Sequence, residues 1–212
     1  MSKKSTKLLD VIVIGAGASG MMAAITAARR GKSVAILERM NKPGKKILAT
    51  GNGKCNFTNN NMDTSRFHGN IQLIQSVLDR FSKEDTLSFF HEIGIWPKEK
   101  NGYYYPNSGQ AASVVEAFNH ELNRLHVPVY LEQEVLDLFP DKYGFRIKTV
   151  QTSYTCRNVI VASGLLAASK LGSDGSMFSV IKELGHRFVP VLPALCGFYA
   201  KGIQFSKVAG VR

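Results

Sequence analysis

The run Gly15-Ala16-Gly17-Ala18-Ser19-Gly20 follows one apolar stretch and opens another, and no other feature constrains the fold as much. Leu8 to Ile14 is nearly continuous apolar sequence, suited to a strand buried on both faces. Ser19 to Arg30 then reads as a helix, with Gly31 placed to end it, and Ser33 to Leu37 reads as a second strand. Strand, glycine turn, helix and strand in that order imply a right-handed parallel crossover. Gly15 permits the tight turn, Gly17 lets backbone approach a pyrophosphate, and Gly20 lets helix and strand pack closely. The helix start offers unpaired N–H groups and a positive dipole end to phosphates. Glu38 closes the second strand eighteen residues beyond Gly20, where it can accept hydrogen bonds from ribose hydroxyls. NAD and FAD both satisfy this pattern. NADP does not, because its 2′-phosphate would face Glu38 unless Arg39 outweighed it.

Beyond this unit the pattern changes several times. Residues 41–62 are polar and aperiodic and read as a long loop. Ile71, Ile74, Leu78 and Phe81 share one helical face; Ser82 and Asp85 resemble a capping box for a second helix closed by Gly94. Ala111, Val114, Val115, Phe118, Leu122 and Leu125 mark a third helix. From Val127 to Ala162 short strands are expected at Val127–Leu131, Val135–Phe139, Phe145–Val150 and Val159–Ala162, with turns at Pro140-Asp141 and Tyr143-Gly144. A short helix near Ser176 to Leu184 ends at Gly185. The fold class is therefore α/β, a Rossmann-like FAD/NAD(P)-binding domain with a parallel sheet and a β-meander crossover.

Charge and cysteine usage narrow the function classes. Residues 1–54 carry eleven Lys and Arg against only Asp10 and Glu38, and the remainder sixteen against fourteen, so nearly all of the net +11 is local. Basic residues near a pyrophosphate make electrostatic sense; Arg29, Arg30 and Lys32 also complement a helix C-terminus. The basic segment lacks interleaved aromatic residues and any nucleic-acid motif, so nucleic acid is not the expected partner. Lys3, Lys4 and Lys7 before an apolar stretch imitate an export signal, but Asp10 and the glycines interrupt it, and no run of about 18 apolar residues exists. No membrane span is expected. Cys55, Cys156 and Cys196 are odd in number without a Cys-x-x-Cys spacing, which favours a reducing, cytoplasmic setting over disulfides or zinc. Cys55 reads as a small buried residue rather than half of a flavin-to-disulfide relay. The five histidines show no metal spacing, and His186 reads as a packing or capping residue. A phosphate-gripping P-loop before Gly53-Lys54 would need Gly at Leu48 and a hydroxyl at Cys55.

The segment from Gly44 to Asn59, GKKILATGNGKCNFTN, closely resembles the signature of the HI0933-like flavoproteins, which include aminoacetone oxidase-like and bile-acid-reductase-like enzymes. The resemblance continues through Tyr105-Pro106-Asn107-Ser108, Ala112 to Val115, Val159 to Gly164, Glu183 to His186 and Pro193-Ala194-Leu195. It implies FAD as cofactor and hydride transfer with a small organic substrate, with NAD(P)H a candidate electron donor. By position it places Gly15, Gly17, Ala18, Ser19 and Gly20 by the pyrophosphate, and Glu38 with Arg39 by the ribose. Gly44, Lys45, Thr50, Gly51 and Asn56 would lie toward the middle or flavin end. Val135 would present backbone to adenine, and Ala162, Ser163 and Gly164 would pass close to the dinucleotide. No residue takes a catalytic role from this reading, and no metal is expected.

The chain departs from that pattern at Leu165, where a glycine is usual, and in the turn Gly172-Ser173-Asp174-Gly175-Ser176-Met177. A side chain at Leu165 would sit where backbone approaches a ligand. The resemblance also implies an FAD-binding domain over 1–189, lacking its C-terminal return, and an inserted domain that starts at 190 and is truncated at 212. On that basis the chain alone should expose apolar surface and hold flavin weakly, with little activity. Three functions stand: an FAD oxidoreductase, a non-catalytic dinucleotide-binding remnant, and a tRNA-modifying flavoprotein.

Overall fold

The computed structural model describes residues 8–193. Its elements run β1 (Leu9–Ile14), α1 (Ala18–Arg29), β2 (Val34–Leu37), α2 (Lys45–Ala49), β3 (Thr58–Asn59), α3 (Ile71–Leu78), α4 (Lys83–Glu92), β4 (Pro97–Lys100), β5 (Tyr103–Pro106), α5 (Ala111–Arg124), β6 (Val129–Tyr130), β7 (Val135–Asp141), β8 (Gly144–Thr149), β9 (Ser153–Val161) and α6 (Met177–Glu183). The main sheet has the order β6-β2-β1-β9-β8-β7. β6, β2, β1 and β9 are parallel, while β7 and β8 join β9 as an antiparallel meander. This is the expected α/β fold, with the chain crossing from one half of the sheet to the other through that meander.

β1 is apolar from Val11 to Ile14 because both its faces are covered there. Val11 and Val13 enter one core with Met21, Ile25, Val114 and Phe118, while Ile12 and Ile14 enter another with Leu138, Ile147, Met177 and Val180. Alternation on a strand sends successive side chains to opposite faces, so neither core could form without the unbroken run. The glycine turn, α1 and β2 fall where the sequence places them. The capping box of α4 also forms: Asp85 N–H donates to Ser82 Oγ at 3.1 Å, and Ser82 N–H to Asp85 Oδ2 at 2.7 Å.

Four expectations change. The long loop contains α2, because Lys45-Lys46-Ile47-Leu48-Ala49 are good helix formers and Ile47 is buried. β4 and β5 form a hairpin that, with β3, makes a second, three-stranded sheet. β9 begins at Ser153, six residues before the strand expected at Val159. Pro140 and Asp141 belong to β7, so the turn to β8 is only Lys142-Tyr143. Pairing with β8 from Ser153 fixes the polar start of β9, and β1 takes over from Cys156.

Arg29 joins α1 to its neighbours, with Nε 2.8 Å from Glu121 Oε1 on α5 and Nη1 2.8 Å from Glu92 on α4. Glu121 is also gripped by Arg124, and the two guanidinium groups hold its carboxyl below the ordinary range against the effect of burial. Among the described residues no helix is long and apolar enough to cross a membrane. Pro193-Ala194-Leu195, Cys196 and nearly all of the inserted domain expected from 190 lie partly or wholly outside the described residues.

Candidate functional site

Three loops leave the carboxyl ends of β2, β1 and β9 at one level, because Ile14 pairs with Leu37 on one side and Val161 on the other. β1 is where the chain order reverses across the sheet, the position at which open α/β sheets form ligand crevices. Backbone bonds lace the loops together: Gly15 N–H donates to Leu37 O at 2.8 Å and Ala162 N–H to Ile14 O at 2.8 Å. Space here is minimal. A Cβ on Gly20 would stand 1.9 Å from Gly15 O, and one on Gly15 would stand 2.7 Å from Ala162 O. Gly17 differs, since a Cβ there meets nothing within 4 Å. Above these loops opens a cleft of about 290 Å³.

The helix start facing the cleft suits an anion. Gly17 caps α1 without a side-chain bond, the first turn holds no acid, and the first helical amide with a backbone acceptor there is Met21, bonded to Gly17 O. The preceding amides, Ala18 and Ser19, line the cleft with the dipole's positive end behind them. Lys42, Lys45 and Lys46 add positive charge to the lining.

Glu38 lines the same cleft and is 9% exposed. Its Oε2 accepts from Ala16 N–H at 2.6 Å and its Oε1 from Met40 N–H at 2.8 Å. A carboxylate offers about four acceptor sites. Each oxygen therefore keeps one for a ligand hydroxyl while the pair fixes the glycine loop and the turn after β2. Gln133 lies alongside; its N–H donates to Glu38 O at 2.9 Å, and its amide oxygen accepts from Thr149 Oγ1 at 2.8 Å. That leaves the Gln133 amide as a donor.

The segment after β9 folds back over this wall. Arg39 Nη1 binds Asp174 Oδ2 at 2.7 Å, and Arg39 Nε is buried with no partner among the described residues. The guanidinium beside it holds the Asp174 carboxyl down at about 2. One residue earlier, Ser173 Oγ meets Lys46 Nζ at 3.2 Å and donates to Leu165 O at 2.9 Å. Leu165 itself is 51% exposed, has no left-handed backbone and does not line this cleft.

Of the residues expected from sequence, Gly15, Gly17, Ala18, Ser19, Glu38, Arg39, Gly44, Lys45, Val135, Ala162, Ser163 and Gly164 line this cleft together. Gly20 is buried beneath Gly15. Thr50, Gly51 and Asn56 stand apart from it, in a backbone knot where Thr50 O accepts from Cys55 N–H and Asn52 and Cys55 take left-handed conformations. Cys55 is buried there, as expected. Lys42 and Gln133 were missed, and the turn Gly172–Met177 stood out in the sequence only as a departure from the family pattern. The turn chemistry of Gly172 and Gly175, both left-handed, was the available signal for that segment.

A profile of the HI0933-like protein Rossmann domain matches residues 9–210. The 3-dehydro-bile acid delta(4,6)-reductase of Clostridium scindens is 44% identical over 203 residues, covering 94% of this chain and 50% of its own. The ribosomal RNA dihydrouridine synthase of Escherichia coli is 29% identical over 191 residues, covering 89% and 48%. The chain thus spans about half the length of the curated relatives it matches. The open conformation of a flavocytochrome c3 fumarate reductase superposes with a TM-score of 0.66 at 15% identity, over 85% of this chain and 41% of that one, a likeness of fold alone.

Proposed function

Because this chain belongs to the HI0933-like family of FAD-dependent oxidoreductases, we propose that its cleft holds the ADP half of FAD in an enzyme that saturates a carbon–carbon double bond of a small organic substrate. The observation that carries the cofactor reading is one cleft lined both by free α1 amides and by a buried Glu38 with acceptor sites to spare. Ala18 and Ser19 would take the pyrophosphate, and Glu38 the ribose hydroxyls, with backbone at Val135 and the Gln133 amide beside the adenine. Ala162, Ser163 and Gly164 would pass beneath the dinucleotide. The motif alone does not separate FAD from NAD; family membership supports FAD. Bound FAD supplies hydride chemistry at its ring, and NAD(P)H is the reductant we infer for it. The reaction class comes from the relatives: one is named a delta(4,6)-reductase and the other a dihydrouridine synthase, and both names describe adding hydrogen across an unsaturated bond.

Dialysing the chain against equal FAD and FMN tests this reading. A chain that spans half its relatives' length should hold flavin weakly, yet FAD measurably more tightly than FMN. Equal affinity for the two would overturn it.

An RNA base as the unsaturated substrate is a second reading, favoured by the hairpin β4–β5. Trp96 and Tyr103 are exposed there at 66% and 47%, Lys98 and Lys100 flank them, and Lys83 Nζ lies 5.9 Å above the Tyr104 ring. Aromatic faces between cations suit stacked single-stranded bases. Salt-sensitive binding of single-stranded RNA, lost on K98E/K100E, would support it; binding indifferent to that change would remove it.

A further inference from the structure

Building on the reading of the cleft as an adenine dinucleotide site, we propose that Asp174 makes the site select a free ribose 2′-hydroxyl over a 2′-phosphate by occupying Arg39. Sites that accept the 2′-phosphate of a dinucleotide use an arginine near the end of the second strand. Arg39 stands at that position, one residue past Glu38 and in the cleft lining. By sequence it is the residue that would reverse the preference set by Glu38. The structure shows it engaged. Nη1 is 2.7 Å from Asp174 Oδ2, the side chain is 21% exposed, and Nε is sealed with no acceptor among the described residues. A buried donor left unpaired is costly, so the strong ionic contact at Nη1 is what keeps the guanidinium there.

Asp174 is itself held in place. Its Oδ1 accepts from Ser176 N–H at 3.1 Å, and the neighbouring Ser173 is tied to Lys46 and to Leu165 O. The contact therefore spans 135 residues of sequence yet rests on two fixed segments. Its consequence for charge is direct. A phosphate on the 2′-oxygen would meet the Glu38 carboxylate on a wall whose nearest arginine is already neutralised by a second carboxylate. A 2′-hydroxyl, by contrast, donates to Glu38 and needs no cation.

Calorimetric titration of the whole chain with ADP-ribose and with 2′-phospho-ADP-ribose tests this. The native chain should prefer ADP-ribose. Asp174→Asn, which keeps the shape and removes the charge, should narrow that preference by about tenfold, the size of one charge-assisted contact released to the ligand. Asp174→Glu should restore it, and adding Arg39→Ala to Asp174→Asn should also restore it, outcomes that a merely structural role would not produce. The double variant Arg39→Ala/Asp174→Ala, which removes both charges, tests the claim even if Asp174→Asn fails to fold. The ratio should then move by less than about twofold, because a pair already neutralised adds little for the ligand. A ratio unchanged in Asp174→Asn, or a selective loss of the 2′-phosphorylated ligand in that double variant, would overturn the role of Asp174 and leave the cleft reading standing. A native chain that binds neither nucleotide would bring down both.

Discussion

Gly17 and Gly20 are three residues apart on one turn, yet alanine should act at each through a different quantity. At Gly20 the new Cβ would stand 1.9 Å from Gly15 O and 3.0 Å from Gly15 C, both backbone atoms. Backbone cannot rotate away, so α1 or the turn must move by more than an ångström within a close-packed core. Overpacking of this kind costs about 3 kcal/mol or more, which for a chain of this size lowers the unfolding midpoint by roughly 6–12 °C. At Gly17 the backbone has φ −80°, which alanine adopts freely, and nothing lies within 4 Å of the new methyl. Alanine is a poorer N-cap than glycine, but it lowers the entropy of the unfolded chain, so the net stability change should stay within about 1 kcal/mol. The methyl would instead stand in the cleft where pyrophosphate must approach the α1 amides, and a loss of binding of at least about tenfold, or 1.4 kcal/mol, is expected. Urea unfolding and titration with ADP-ribose on the two variants measure both quantities. Native affinity in Gly17→Ala would refute the placement of the phosphates, and native stability in Gly20→Ala would refute the packing.

Glu38→Gln leaves one oxygen to serve the amides of Ala16 and Met40, so we expect a loss of about 1–3 kcal/mol in stability together with weaker ADP-ribose binding, read by the same two assays. The Arg39–Asp174 contact should tolerate acid. The Asp174 carboxyl lies at about 2 against an ordinary 3.8, so its contribution is fully present above the ordinary value and is lost as pH falls through about 2. The stability difference between the native chain and Asp174→Asn should therefore be flat from neutral pH to about pH 5 and shrink toward pH 2 in unfolding scans. Burial pushes the Cys55 thiol up and the Cys156 thiol up to about 11, so both should react with a thiol reagent at neutral pH only after unfolding, as a stopped-flow labelling trace would show.

The sequence makes the first half of the cleft legible because local rules and tertiary demands agree there. A strand apolar on both faces, a glycine at each crowded contact and an acid at the next strand end describe the same object, and β1, α1, β2 and Glu38 fall where those rules place them. The hairpin β4–β5 carried an equally physical signal that was overlooked. Asn101 and Gly102 both take positive φ in a two-residue turn between paired Lys100 and Tyr103, the preferred Asn-Gly hairpin, but prolines and lysines in the strands disguise it. The pairing of Arg39 with Asp174 was not legible at all. Neither residue's local sequence names its partner, and only the return of the chain after β9 brings them together. The same holds for Gln133, whose role depends on Thr149 across the meander.

The most direct measurement is the set of backbone amide shifts that move when ADP is titrated into the chain. Perturbations should concentrate at Gly15 to Gly20, around Glu38 to Met40, at Gln133 to Val135 and at Ala162 to Gly164, saturating together with one affinity. Shifts confined to other surfaces, or none at saturating ADP, would contradict a nucleotide seated at the carboxyl ends of β1, β2 and β9.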